Sequence, residues 1–406
     1  MNLSWIKNTT LFVCSVAVTL IVVELGLRAF WAPAQISGWG WQDSPRRAVA
    51  NFADDNTNEL GVRGQSFDYG PDDFVVLLLG DSQVEAATSA PEKMPEKILQ
   101  AKLSQKLNKN VKVFSLASSG WGQDQQLNAL EKYYEDFRAD LVLVFATPGN
   151  DFWENAFPDR SPTITTGHIK PTYYLQQEQL LGPYFANNFY YDLALFHLIS
   201  LIVYSSDEKS LEAAIVENWL AKLPPAHNPS AANENQAYCA QFEQVPFAQF
   251  LQNIYEYKSK QLTVESAEDI KNSRSHFSPY SADKSPRDIY LVNLTRALFH
   301  KIEQVALEHQ SLMYVFYPIR EDFDWILGKN ARCVKDNTNQ YYKIDIDYLS
   351  TLKAVVPANK LIEFGLPGKA EIRFSKSDPH LSDVGNQRAM QSLAAKLREI
   401  LKTELE

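Results

Sequence analysis

The stretch Phe74-Val75-Val76-Leu77-Leu78-Leu79-Gly80-Asp81-Ser82 constrains this chain most. Six consecutive apolar residues, without the alternation of a strand that has one wet face, predict a strand covered on both sides. Strands of that kind belong to parallel sheets sandwiched between helices. This one runs straight into Gly80-Asp81-Ser82, where a glycine permits a sharp turn that a side chain would obstruct. Ser82 is thereby delivered to the carboxyl end of a buried strand, the edge at which open α/β sheets hold their ligands. Taken alone, the tripeptide reads better as an ordinary strand-to-helix turn with Ser82 capping the next helix.

The pattern then repeats. Residues 91–107 place Ile98, Leu99, Leu103 and Leu107 at helical spacing, and Pro91 suits a helix start. Residues 111–116 predict a second strand, ending in the loop Ala117-Ser118-Ser119-Gly120-Trp121-Gly122. Asp124 is positioned to cap a helix reaching Phe137, with Leu127, Leu130 and Tyr134 on one face. Residues 141–146 predict a third apolar strand, which ends in Pro148-Gly149-Asn150-Asp151. Strand, polar loop, helix and strand in turn predict a parallel sheet with right-handed crossovers. Over 152–285 the repeat stops. Helical runs fall at 192–203 and 210–223, and Pro224-Pro225 ends the second. This region reads as an insertion or cap packed over the sheet mouth, with a separate domain as the alternative. The repeat resumes with a helix over 286–309 and a strand over 312–317 ended by Pro318. A helix over 345–354 and a strand over 361–364 follow. Ser382 or Asp383 caps a last helix with Met390, Leu393, Leu397, Ile400 and Leu401 in one stripe.

The amino terminus adds a membrane element. Residues 8–23 carry no charge, and continuing to Leu27 gives a helix of bilayer length interrupted by Glu24. Trp5, Phe30 and Trp31 flank it where aromatic belts occur. A signal-anchor helix over 1–31 fits best. A cleaved signal peptide and a buried helix are the alternatives, and Ala32-Pro33-Ala34 resembles a cleavage site only loosely. Positive residues stand on both sides (Lys7 before; Arg28, Arg46 and Arg47 after), so charge barely decides the orientation. Residues 32–57 read as a tether, and 58–404 as the main domain.

Composition narrows the partners. A net charge of −10 without a basic block argues against nucleic acid. Of three cysteines, Cys14, Cys239 and Cys333, none forms a Cys-x-x-Cys pair. Free thiols are the expectation at Cys239 and Cys333, with a disulfide in an oxidising compartment as the alternative. The carboxylates form no metal-binding cluster, and no phosphate-cradling glycine loop with lysine occurs, so no metal or cofactor is expected.

Three strands thus end in loops bearing Ser82, Gly120 and Asn150, and a late loop bears Asp378 and His380. Parallel strands share one carboxyl edge, so these loops should converge. Together they supply what acyl transfer requires: a hydroxyl nucleophile in Ser82, an imidazole base in His380 and an orienting carboxylate in Asp378. The Ser82 and Gly120 amides and the Asn150 side chain would receive the oxyanion. Asp81 and Asp151 read as supports that fix the loops. His168, His197, His227, His276, His300 and His309 read as surface or packing residues. Trp121, Trp153 and the tyrosines of the insertion read chiefly as core, with stacking on sugar faces as the alternative.

At this point the chain resembles the SGNH, or GDSL-type, hydrolases. The family's four signature residues would be Ser82, Gly120, Asn150 and His380, in its order. The resemblance covers roughly 58–150 and 286–404 and implies a flavodoxin-like α/β/α three-layer fold and serine esterase chemistry. More narrowly, the amino-terminal helix, Asn58-x-x-Gly61-x-Arg63-Gly64, Ser119-Gly120-x-Gly122-x-x-Gln125 and the long insertion are similar to membrane-anchored bacterial members. Those members are associated with acetyl groups on cell-surface polysaccharide. This implies a polysaccharide O-acetyl esterase or O-acetyltransferase in the inner membrane with its domain in the periplasm, working beside envelope polysaccharide machinery. The family places Asp three residues before its histidine. Here Ser377 stands there and Asp378 lies two before, so the orienting group is Asp378 from a shifted loop, another carboxylate, or none in a Ser-His dyad. A non-catalytic polysaccharide-binding or assembly component, and a lipase or thioesterase, are the rival functions.

Overall fold

Strand β1 (Phe74–Gly80) is buried along its whole length. Its side chains alternate between two cores: Val75, Leu77 and Leu79 face one, and Phe74, Val76 and Leu78 face the other. The structure is a computed structural model. It describes residues 3–30, 57–60, 62–158, 170–185, 193–195, 198, 217–226, 232–240, 242–246, 261–275, 277–320, 332–367, 370–375, 378 and 380–405.

After α1 (Leu3–Phe30) the main-domain elements run β1, α2 (Ser82–Glu85), α3 (Pro95–Leu107), β2 (Val111–Ala117), α4 (Gln123–Phe137), β3 (Leu141–Phe145) and α5 (Asp151–Glu154). Next come the hairpin β4 (Pro171–Gln176) and β5 (Gln179–Phe185), α6 (Ala232–Cys239), β6 (Glu243–Pro246), β7 (Gln261–Glu265) and α7 (Ala267–Lys271). The chain closes with α8 (Pro286–Glu308), β8 (Leu312–Arg320), β9 (Arg332–Asp336), β10 (Tyr341–Ile344), α9 (Tyr348–Lys353), β11 (Leu361–Leu366) and α10 (Asp383–Leu405).

The central sheet has the order β2-β1-β3-β8-β11 with every pair parallel. Numbered along the chain this is 2-1-3-4-5, the flavodoxin-like order, whose switch point lies between β1 and β3. Ile98, Leu99 and Leu103 of α3 and Met390, Leu393, Leu397 and Leu401 of α10 cover one face. Leu127, Leu130 and Tyr134 of α4 and Leu291, Leu294, Leu298 and Ile302 of α8 cover the other. The expected three-layer fold is therefore present. Leu77, Leu78 and Leu79 are each 0% exposed, and burying one such side chain contributes about 1.5–3 kcal/mol. Helix α8 begins where its sequence dictates: Ser285 Oγ accepts the Asp288 N–H while Asp288 Oδ2 accepts the Ser285 N–H, ahead of Pro286.

Several local expectations are corrected. Residues Pro91–Lys93 form a 3-10 turn, and the α-helix starts at Pro95. Gly122, not Asp124, occupies the cap position of α4; Asp124 lies inside the first turn, its Oδ2 on Lys170 and its Oδ1 accepting the Gln125 N–H. Pro318 does not end β8, which continues to Arg320. Its pairing with β3 stops at Phe316 while that with β11 continues, so past Phe316 one side is an edge, where a strand tolerates proline.

The insertion is not self-contained. A second sheet, β10-β9-β7-β6, takes β6 and β7 from within it and β9 and β10 from beyond β8. Against the free-thiol expectation, Cys239 and Cys333 form a disulfide that ties α6 to β9, with Cα atoms 5.7 Å apart. Both are buried, so the fold brings close two thiols that sequence could not show to be near. The β4–β5 hairpin packs outside α4 and α8, where the Leu175 N–H donates to Tyr290 Oη at 3.1 Å and Tyr173 Oη reaches Glu131 at 3.5 Å. Residues 32–56, and nearly all of the helical run at 192–203, lie outside the described residues.

In α1, Lys7–Leu27 is long and apolar enough to cross a membrane and is wholly unburied. Glu24 in that helix accepts the backbone N–H groups of Ala194 and Leu195 at 2.9 and 2.8 Å.

Candidate active site

The site assembles at the carboxyl edge of β1, β2 and β3. Gly80 is required there by close approach: a Cβ on it would lie 2.4 Å from Val84 Cγ2, inside the following turn. Asp81 caps α2, its Oδ1 accepting the Gln83 N–H at 2.9 Å. Ser82 is therefore the first residue of a single helical turn and is half-buried. The turn closes at Ala86, in the left-handed region at φ 45°. Arg63, 1% exposed, pins it from below. Its guanidinium donates to the carbonyls of Glu85 (3.0 Å), Ala86 and Ser89 (2.6 Å). Asn58 Oδ1 holds the preceding turn by accepting from Leu60 and Val62. Arg63 thus braces the serine turn, and Asn58 orders the turn that leads to it.

The histidine loop reaches the same place. His380 Nδ1 lies 2.5 Å from Asp378 Oδ1, which also accepts the His380 backbone N–H at 3.0 Å. Asp378, two residues ahead of the histidine, is thus the carboxylate that contacts the ring. Ser377 lies outside the described residues. With Nδ1 committed to Asp378, Nε2 remains for a reacting group. Leu381 N–H donates to Gln83 Oε1 at 3.1 Å, so the two loops are stapled one residue beyond Ser82 and His380. The Ser82 hydroxyl and the His380 ring are not hydrogen-bonded to each other.

Burial pulls the His380 pKa down, but the hydrogen bond and charge of Asp378 and the fields of Asp81 and Glu85 outweigh it and leave the ring above its usual value. In return the hydrogen bond from His380 holds Asp378 below the usual carboxylate range against its partial burial. His300 and His309 are peripheral: the first meets Glu303 and Gln304, and the second stacks on Tyr134. His168, His197, His227 and His276 lie outside the described residues.

Gly120 follows β2 at φ +74°, a conformation glycine adopts without cost. Asn150 stands at the N-cap position of α5 after β3 without a side-chain capping bond, and its Nδ2 donates to Asp81 Oδ2 at 3.3 Å. Asp81 thereby holds the serine turn with one oxygen and the Asn150 amide with the other. Burial, opposed by these hydrogen bonds and by His380, raises its pKa. Asp151 is 2% exposed, and its Oδ2 accepts the Thr147 N–H at 2.7 Å. Burial, then the charge of Asp81, pushes its carboxyl up to about 8. Trp121, Trp153 and Tyr173 are 3%, 3% and 4% exposed, so they are core and not stacking platforms.

Gln83, Asn155 and Lys170 make long-range polar links near these loops that sequence reasoning missed. Nothing periodic marks them, and each acts on a residue distant in the chain. A cavity of about 900 Å³ lies elsewhere, along α8 and the β4–β5 hairpin, bordered by Arg296, His300 and Lys301, and none of the candidate catalytic residues lines it.

No family model matches the chain, and no curated protein matches it. Among solved structures, similarity is found to the lipase Lip_vut3 from a goat rumen metagenome (12% identity, 79% of this chain and 96% of that chain, TM-score 0.33). A lipase/acylhydrolase from Enterococcus faecalis (12%, 80% and 95%, TM-score 0.26) and the acetyl xylan esterase AlAXEase (12%, 80% and 99%, TM-score 0.25) are similar at the same level. At these TM-scores the superpositions are loose.

Proposed function

We propose that this protein is a membrane-anchored serine esterase or O-acyltransferase acting on acetyl esters of cell-surface polysaccharide. The observation that carries the proposal is the meeting of the serine turn with an imidazole whose Nδ1 is held by Asp378, beside two amide-bearing loops at the switch point of a parallel sheet. His380 Nε2 takes the Ser82 Oγ proton as Oγ attacks the ester carbonyl carbon. The carbonyl oxygen becomes an oxyanion, received by the Ser82 and Gly120 backbone N–H groups and Asn150 Nδ2. The ester C–O bond then breaks, and the leaving alkoxide takes the proton back from His380. Water, or a sugar hydroxyl in a transferase, repeats the cycle on the acyl-enzyme and frees Ser82.

The acetyl and polysaccharide assignment rests on the sequence resemblance to membrane-anchored SGNH hydrolases. An extracytoplasmic domain is supported by the Cys239–Cys333 disulfide, since such bonds persist in oxidising compartments, and by the apolar span in α1. One observation favours a second reading, a polysaccharide-binding or assembly component: Ser82 and His380 share no hydrogen bond. Catalytic contacts often tighten only when substrate binds, so the esterase reading stands first. The test is hydrolysis of a small acetyl ester by the full-length protein and by Ser82→Ala and His380→Ala. A loss of about a hundredfold or more in both variants supports the esterase. Activity unchanged by Ser82→Ala, or none in the wild type, moves the assignment to the binding role.

A further inference from the structure

The loops bearing Gly120 and Asn150 are joined beneath the site by a buried polar bridge that takes no direct part in the proposed chemistry. Its centre is Lys170, which enters from the insertion just ahead of β4 and is 0% exposed. Lys170 Nζ lies 2.5 Å from Asp124 Oδ2 on the Gly120 side and donates to the Glu154 carbonyl at 2.5 Å on the Asn150 side. Its own N–H donates to the Pro158 carbonyl at 2.6 Å. Asn155, also 0% exposed, runs a second tie in parallel. Its Oδ1 accepts the Asp124 N–H at 3.3 Å, and its Nδ2 donates to Gln123 Oε1 at 2.8 Å and to Thr295 Oγ1 at 2.9 Å. There is no slack at this joint: a Cβ on Gly122 would sit 2.4 Å from Asn155 Oδ1 and 2.9 Å from Asp124 Oδ1.

Stability alone is a poor reason for this bridge. Taking an ammonium and a carboxylate wholly out of water costs about what their attraction returns, and a packed apolar pair of the same volume is often as stable or more so. What an apolar pair cannot do is specify one spacing between two loops. We infer that Lys170 is a positioning residue. By joining Asp124 to the Glu154 carbonyl, it sets the separation of the Gly120 N–H and the Asn150 side-chain amide, so that both reach the same oxyanion. The inference deepens the esterase reading and rests on it. It also gives the insertion a place in the catalytic apparatus, although it contributes no reacting group.

The test uses full-length protein in detergent and an acetyl ester. A displacement of about 1 Å in such a site can cost about a hundredfold in rate. Because the donors matter most once charge has developed, the loss should fall on kcat. Lys170→Met is expected to lower kcat by about ten- to a hundredfold with KM within about threefold. Affinity for a trifluoromethyl ketone, which forms a tetrahedral anion on the serine, should fall in step with kcat. Affinity for an unreactive amide analogue of the substrate should not change. A lysine that only stabilised the fold would lower the melting temperature and leave the ratio of those two affinities unmoved, and that result overturns the inference.

The paired variant Asp124→Asn/Lys170→Met leaves no lone buried charge and is expected to show the same split. Should both charge variants fail to fold, Thr295→Val removes only the hydroxyl that Asn155 grips. It is expected to lower kcat by about two- to tenfold. An unchanged kcat in Thr295→Val then overturns the inference. If Ser82→Ala retains wild-type activity, the esterase reading itself fails, and the positioning role with it. If Ser82→Ala is dead while Lys170→Met matches wild type, only the positioning role fails.

Discussion

Replacing Asp151 with asparagine should stabilise this protein in a way that depends on pH. Asp151 is 2% exposed and begins α5 beside Asn150. Burial, then the charge of Asp81, raises its carboxyl to about 8, whereas in an unfolded chain it titrates near 3.9. Between about pH 4 and pH 8 the folded protein therefore holds a proton that the unfolded chain has released. Stability changes with pH in proportion to protons bound unfolded minus protons bound folded. That difference is negative here, so this group weakens the fold as pH rises, by about 1.4 kcal/mol per unit. The accumulated cost at pH 7 is on the order of 4 kcal/mol. A carboxamide closely matches the shape of a protonated carboxyl and can still accept the Thr147 N–H that Oδ2 now holds at 2.7 Å. Asp151→Asn should therefore be more stable than wild type by a few kcal/mol at pH 7, on the same linkage reasoning. The gap should close toward pH 4, where both states of the wild type carry the proton. Urea unfolding of the detergent-solubilised chain, followed by tryptophan fluorescence from pH 4.5 to 8, measures this. Parallel stability–pH curves for the two proteins, or a variant less stable than wild type at pH 7, would refute the reasoning.

Asp378→Asn should lower kcat and move the acid limb of the pH–rate profile to lower pH. In the wild type that limb is expected above the ordinary histidine value of about 6.5, since burial, which disfavours the charged ring, is outweighed by the Asp378 hydrogen bond and charge; an unmoved limb would show that Asp378 does not hold the ring. Gly80→Ala places a methyl 2.4 Å from Val84 Cγ2, so a destabilisation of about 1–3 kcal/mol and displacement of the serine turn are expected. A denaturation midpoint and activity equal to wild type would contradict this. Cys239→Ser/Cys333→Ser removes a cross-link spanning 94 residues, which should cost about 2–5 kcal/mol and loosen the second sheet. Limited proteolysis of oxidised against mutant protein reads that out, and identical digestion patterns would contradict it.

What could be read directly from the chain was whatever its local pattern encodes. Unbroken apolar runs at 74–79 and 141–146, with a mostly apolar strand at 111–116 between them, require two covered faces, hence a parallel sheet. Once the sheet is parallel, the polar loops after its strands must share an edge, so the sequence alone groups Ser82, Gly120 and Asn150. Tertiary structure decided what has no local period. Gln83 meets Leu381 across 298 residues, Lys170 meets Asp124 across 46, and Cys239 finds Cys333 across 94. Each of these pairs is brought together by packing of the elements that carry it, and neither partner's neighbours announce the other. The same holds for the second sheet, which is built from two separated stretches, and for Asp378, whose reach to His380 depends on how one loop folds back. Periodicity determines which faces of the elements are buried, and so the layers. Which polar groups meet inside those layers is settled only when the whole chain has closed around them.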